Sequence, residues 1–154
     1  MLRNLVMVGM GPIKMQDLKS ILAVHIQIVS GDWKAGVHAH IPKATESVLE
    51  VYEAVTMKLK VTPLTAQYCF TMRDIFKLIH GLGLVEGSHM GGKENLLKLW
   101  YHESMRTFYD RIVLPEDKEW FHATMRKIAI RCYDLVGQFS SSHLLRTSKR
   151  RSTR

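Results

Sequence analysis

A glycine-rich loop is the first feature whose residue types and spacing suggest chemistry. Residues 87–93 read GSHMGGK, which satisfies the G-x-x-x-x-G-K half of a phosphate-binding loop. Such a loop binds phosphates with backbone amides and its lysine, and a following Ser/Thr hydroxyl holds magnesium. Here Glu94 takes the hydroxyl position, and no strand is predicted before the loop. We therefore interpret the segment as a flexible connector whose Glu94 favours a helix start, with phosphate binding as the alternative.

Histidines provide a second set of candidate ligands. His38 and His40 stand at i and i+2 in a predicted loop, where two imidazoles would project to the same side. Two ligands do not complete a zinc site, so we favour a loop-surface role over a metal role. His102 and Glu103 begin an H-E-x-x-H pattern, but Arg106 replaces its second histidine, which excludes metalloprotease chemistry.

Arg73 is the third candidate, because it stands two residues after Thr71, the predicted N-cap of a helix. Thr71 precedes Asp74 by three residues, the spacing of a capping box. A guanidinium in that first turn, beside free amides at the positive end of a helix, would suit a phosphate held by a neighbouring domain. The alternative is an ordinary solvent-exposed or salt-bridged arginine.

The elements that carry these residues are predicted from apolar periodicity of helical type. Five amphipathic helices are expected, over residues 18–29, 42–60, 71–82, 94–113 and 116–136, with a non-helical connector over residues 61–70. On the fourth, Glu103, Arg106 and Asp110 stand at i, i+3 and i+7, so we expect an ion-pair ladder. The methionines on the apolar stripes are expected to fill the core. The predicted fold class is an all-α bundle, with at most one short strand over residues 4–8.

Composition limits the function classes. The chain has 154 residues and a formal charge of +8, but five of its 22 basic residues lie in the acid-free segment 140–154. The remaining 17 basic and 14 acidic residues leave only +3 on residues 1–139. No apolar run approaches the roughly 20 residues of a membrane span, and Cys69 and Cys132 fit neither a disulfide framework nor a metal motif. We expect a soluble, intracellular protein in a reducing compartment, without a membrane partner.

Two separated motifs resemble dynein heavy chains, specifically the helical lid of the third AAA+ module of the motor ring. The first, FTMRDI over residues 70–75, is similar to the family's F-N-L-R-D-L at a helix start. The second, LKLWYHE over residues 97–103 with FYDR over 108–111, is similar to L-x-R-L-W-x-H-E and its D-R ending. Thr71 replaces a common asparagine and Lys98 a common arginine, both mild changes. The resemblance covers residues 5–138.

The resemblance implies a site and a division of the chain. Arg73 matches the second sensor arginine, which approaches the terminal phosphate of nucleotide bound in the same module. Residues 1–12 would be the end of a large AAA+ subdomain, 13–138 a five-helix lid and 139–154 a disordered basic tail. The phosphate loop, magnesium-binding acid and first sensor would belong to the large subdomain, so the chain alone is expected to be no enzyme and to hold no cofactor.

The implied function is that of a fragment of an ATP-driven microtubule motor. ATP and magnesium would be cofactors of the parent motor, and the partners would be the rest of the motor ring and, through it, microtubules. The implied location is the cytoplasm and cytoskeleton, in the axoneme of a cilium. The alternative is a free-standing helical interaction protein whose basic tail binds an acidic partner. Nucleic acid is not expected as that partner, because the tail has no aromatic residue to stack on bases.

Overall fold

The computed structural model describes residues 8, 9, 11 and 13–133, and within them every regular element is helical. The helices are α1 (Met15–Val29), the single turn α2 (Ala35–His38), α3 (Ile41–Lys58), α4 (Met72–Gly83), α5 (Lys93–Thr107) and α6 (Pro115–Tyr133). A 3₁₀ turn, Tyr109–Arg111, lies between α5 and α6. The predicted all-α class is confirmed.

Helix α3 lies at the centre of the bundle and packs against α1, α4 and α6. Its apolar residues recur at helical spacing, so Val48, Val51 and Val55 are all buried. Helix α1 contributes Leu18, Leu22 and Ile26, each four residues from the next, to the same core. Because α1 also packs against α4, the apolar stripes of the first, second and third predicted helices all face one shared core.

Large aromatic side chains fill the other half of the core, where α5 and α6 meet. Trp100, Tyr133, Phe108 and Phe121 are almost fully buried, and the Trp100 and Tyr133 ring centroids lie 5.9 Å apart. Aromatic residues of this size contribute much of the apolar area that a small domain buries. The Trp100–Tyr133 contact joins α5 to α6, and Phe121 of α6 packs against Tyr109 of the 3₁₀ turn, with ring centroids 6.1 Å apart.

The predicted fourth helix is too long. Helix α5 ends at Thr107 rather than near residue 113, and residues 109–111 form the 3₁₀ turn instead. The physical reason is tertiary: Phe108 is buried, and Arg111 is bound to the chain before α4, so these contacts override local helix propensity. The predicted polar loop around His38 also contains the short helix α2.

Several predictions fall partly or wholly outside the described residues. The proposed strand over residues 4–8 is represented only by Val8, and the end of the fifth helix after Tyr133 and the basic tail are not described. Met90 and Met125 are buried as expected of core methionines, whereas Met57 is 68% exposed. None of the helices in the described ranges combines the length and apolar character that a bilayer span needs.

Candidate functional site

The candidate site begins at the first turn of α4, which Thr71 and Asp74 organise. Thr71 is the N-cap residue, with an extended backbone, and its amide donates a hydrogen bond to Asp74 Oδ2 over 2.9 Å. The Asp74 amide donates in turn to the Thr71 carbonyl over 3.0 Å. The predicted helix start is therefore confirmed, and its reciprocal bonds fix the direction in which α4 leaves the connector.

Arg73 is the second residue of α4, and its side chain is exposed. It makes no hydrogen bond or ion pair to another residue of the described part of the chain. A positive charge at a helix N-terminus is opposed by the macrodipole, by roughly 0.3–1 kcal/mol. The exposed guanidinium therefore stands where nothing in the described fold neutralises it.

Asp74, the residue next to Arg73, is almost fully buried and is already engaged. Arg111 from the 3₁₀ turn pairs with Asp74 Oδ2 over 3.0 Å, while Lys77 lies 3.9 Å from the other oxygen. Burial raises the pKa of Tyr52 in α3, and the negative charge of Asp74 raises that pKa further. The buried carboxylate is thus committed to the helix cap and to Arg111.

Arg111 reaches beyond Asp74 to the connector before α4. Its Nη2 donates to the Gln67 carbonyl over 3.1 Å and also to the Cys69 carbonyl. Its guanidinium carbon lies 4.6 Å from the centroid of the Phe70 ring, within the range of a cation–π contact. One side chain therefore ties the 3₁₀ turn to the connector and to the first turn of α4.

A polar cleft of about 610 Å³ lies beside this turn, with Asp74, Gly81, Glu103, Arg106 and Arg111 among its lining residues. Glu103 of α5 is buried and pairs with Arg106 over 3.3 Å, and His102 Nδ1 lies 3.0 Å from the same carboxylate oxygen. A Cβ added at Gly81 would lie 2.2 Å from Glu103 Oε2, so glycine lets α4 approach this carboxylate closely.

The predicted ion-pair ladder on the fourth helix is only half present. Glu103 and Arg106 pair as expected, but Asp110 lies beyond the end of α5 and forms no ion pair within residues 13–133. The difference follows from the early end of the helix, because an i, i+7 relation requires two uninterrupted turns.

The connector itself is anchored to the start of α6 by Tyr68. The buried Tyr68 hydroxyl donates to Asp117 Oδ2 over 3.0 Å and accepts bonds from the Val113 and Leu114 amides over 3.3 Å. These two amides lie just before α6 begins at Pro115, so no helical hydrogen bond satisfies them and the Tyr68 hydroxyl does so instead. Tyr68 and Arg111 thus both anchor the last residues of the connector, 67–70.

The glycine-rich loop packs as a structural element. Met90, in its middle, is buried, and an added Cβ at Gly87 would lie 1.9 Å from the Asp32 carbonyl oxygen. Asn95 of α5 donates to the His89 carbonyl over 3.0 Å. The segment connects α4 to α5, but it is packed rather than flexible: Gly87 lies against the turn after α1, and Met90 is buried.

The histidine pair stands apart from the polar cleft. His38 Nε2 lies 3.0 Å from the Trp33 carbonyl oxygen, so the ring N–H is a donor to the backbone, and His40 precedes α3. No group of three or more potential metal ligands occurs in the residues described. Cys69 and Cys132 are both free thiols.

Sequence reasoning missed two residues of the site. Arg111 was part of the D-R ending of the second motif, but its partners lie more than 35 residues away and only the fold brings them together. Gly81 lies within the predicted helix over residues 71–82, but its contact with Glu103 exists only because α4 packs against α5.

The architecture is that of a small all-α bundle with a polar cleft beside the first turn of α4; the exposed Arg73 belongs to that turn but is not among the residues that line the cleft. The family model described as the dynein heavy chain, ATPase lid domain, matches residues 18–118. The chain belongs to this family.

Curated relatives agree with this assignment. The chain is similar to dynein axonemal heavy chain 1 of Mus musculus, 41% identical over 76 residues, and to its Homo sapiens counterpart, 36% identical over 92 residues. It is 33% identical over 104 residues to the Chlamydomonas reinhardtii dynein-1-beta heavy chain of the flagellar inner arm I1 complex. These matches cover 49%, 57% and 68% of the chain but only 2% of each relative's length. No solved structure matches the chain significantly.

Proposed function

We propose that this chain is the lid of a dynein motor module and that Arg73 is its nucleotide-sensing residue. In this role the lid closes on ATP held by a large AAA+ subdomain, and the guanidinium approaches the terminal phosphate. The observation that supports the role most directly is the exposed Arg73 in the first turn of α4, within the segment that matches the lid family.

The electrostatics of the first turn favour an anion beside Arg73. The neighbouring carboxylate of Asp74 is buried and bound by the Thr71 amide and by Arg111, so it does not neutralise Arg73. The first amides of α4 lack partners within the helix and add a positive potential at the same end. A phosphate oxygen placed there would gain both a charge-assisted hydrogen bond and the helix field.

The chemistry itself would be supplied by the parent motor. Phosphoryl transfer requires an amide cradle, a metal ion and a positioned water, and one arginine cannot replace them. ATP and magnesium would therefore be bound by the large subdomain, in the third module of the ring by the resemblance. The partners would be the remaining modules and, through the motor, microtubules, with the axoneme as the location that the relatives' names suggest.

A lid exchange tests this function. Residues 18–118 would replace the matching segment of the mouse axonemal relative, and ATP affinity would be measured at the module that carries the exchanged lid. We expect Arg73→Ala to weaken ATP binding by about tenfold to a hundredfold, the effect of losing a hydrogen bond to a charged group. The matched control is Arg106→Ala, which removes an arginine from the same domain whose partner is Glu103.

The control decides between a specific and a general effect. If Arg73→Ala and Arg106→Ala change ATP affinity equally, or if neither does, Arg73 is not the sensor. An Arg73→Lys variant is expected to retain part of the affinity, because it keeps the charge but loses the planar fork.

A further inference from the structure

Arg111 is the side chain that connects the proposed sensor turn to the rest of the domain. It pairs with Asp74, donates to the Gln67 and Cys69 carbonyls and lies over the Phe70 ring. Asp74 is the residue directly after Arg73, and Phe70 is the residue directly before the Thr71 cap. The contacts of Arg111 therefore flank Arg73 on both sides in sequence.

We propose that Arg111 is a positioning residue for Arg73. By holding the connector and the first turn of α4 together, it fixes the direction in which the Arg73 guanidinium leaves the helix. This inference rests on the function proposed above for Arg73, but the contacts that carry it are independent of nucleotide.

The residue type fits this role. An arginine has five donors in a planar fork, so one side chain can bind a carboxylate and two carbonyls while its face lies on an aromatic ring. A lysine at the same place keeps the charge, but its three donors lie on one nitrogen and it has no planar face, so it cannot reproduce the arrangement. The Arg111 side chain is 32% exposed and Asp74 7% exposed, so the ion pair is partly shielded from solvent.

The remainder of α4 is held differently. Ile75, Leu78, Ile79 and Leu82 are all essentially buried in the core. Their packing does not depend on Arg111, because it lies on the face of α4 toward α1, α3 and α5. Loss of the Arg111 contacts should thus loosen the first turn of α4 while the body of the helix stays packed.

The test is solution NMR on the full 154-residue chain without nucleotide, with Arg111→Ala, Arg111→Lys and Arg106→Ala. Native-state hydrogen exchange would be measured at the Thr71 and Asp74 amides, both of which are hydrogen-bonded, and at Met125 and Ile128 in the core of α6. Relaxation would give the order parameter of the Arg73 amide. Arg106→Ala is the control, because it removes a cation from the same cleft without touching the connector.

We expect Arg111→Ala to speed exchange at Thr71 and Asp74 by about tenfold, as for a lost charge-assisted hydrogen-bond network. The Arg73 order parameter should fall from about 0.85 toward 0.6, while exchange at Met125 and Ile128 is unchanged. Arg111→Lys should fold as the wild type does and show the same local effects at smaller size. Arg106→Ala should show none of them.

Two results would overturn the positioning role. One is unchanged exchange and order at residues 71–74 in Arg111→Lys and Arg111→Ala. The other is an equal acceleration at α4 and α6, which would mean that Arg111 contributes only to global stability. Neither result would bear on the lid function, which fails separately if Arg73→Ala leaves ATP affinity unchanged in the lid exchange.

Discussion

Substitution of Gly87 by alanine should destabilise the domain through a backbone clash. The added Cβ would lie 1.9 Å from the Asp32 carbonyl oxygen and 2.7 Å from its carbonyl carbon. Non-bonded heavy atoms are comfortable only near about 3.5 Å, so the loop before α5 would have to move by more than about 1 Å from the turn after α1. Backbone atoms cannot rotate away as a side chain can. Met90, buried three residues later, would be displaced with the loop.

The expected cost follows from two opposing effects. Overpacking costs about 1–3 kcal/mol, while replacing glycine by alanine recovers about 0.4–1 kcal/mol from the entropy of the unfolded chain. We expect the free energy of unfolding of Gly87→Ala to be about 1–2 kcal/mol lower than that of the wild type. The assay is urea denaturation followed by circular dichroism, with an unchanged slope against urea as the sign that only stability has changed.

Gly91→Ala is the matched control in the same loop. Its added Cβ would meet only the Asn95 side-chain amide at 3.7 Å, an ordinary contact. Its stability should be equal to or slightly above that of the wild type. The steric explanation is refuted if Gly87→Ala is as stable as the wild type, or if Gly91→Ala loses as much stability. A phosphate-binding loop, by contrast, would need the backbone freedom of both Gly87 and Gly91 in order to bind its ligand.

Two further substitutions test the packing around the cleft and the core. Gly81→Ala should lower the stability of the wild type in urea denaturation, because the new Cβ would lie 2.2 Å from the Glu103 carboxylate. In a Glu103→Ala background, which lacks that carboxylate, the same substitution should not be destabilising. Equal effects in both backgrounds would contradict the contact. Burial raises the pKa of Tyr133 from its ordinary value of 10.0 to about 12. The folded state therefore favours the neutral phenol of Tyr133. This preference contributes its full stability below pH 10, and the contribution is lost as the pH rises from 10 through 12. Tyr133→Phe should make the fall in the free energy of unfolding over that range shallower, and an unchanged slope would count against the assignment.

The helices were predictable because their apolar residues repeat with helical period and their ends carry local signals. Thr71 with Asp74 marked the start of α4, and the structure has that helix start. Helix α2 was missed because four residues are too few for a period to appear. The end of α5 was misplaced because no local signal marks Thr107, and burial of Phe108 decides it instead.

The site was predictable only in part. Arg73 was found from its motif and its place in the first turn, both of which are local in sequence. Arg111 and Gly81 depend on contacts with residues far along the chain, and no spacing rule identifies such partners. A single sequence therefore identifies the arginine that we propose to sense nucleotide more readily than the residues whose contacts depend on the fold.

The most direct test of the lid function is a structure of the motor that carries the exchanged lid, bound to a non-hydrolysable ATP analogue. With the lid closed, we predict Arg73 guanidinium nitrogens at hydrogen-bond distance, about 2.7–3.2 Å, from oxygens of the terminal phosphate. A closed lid in which Arg73 lies in solvent or pairs with a protein carboxylate, with no contact to the nucleotide, would contradict the account.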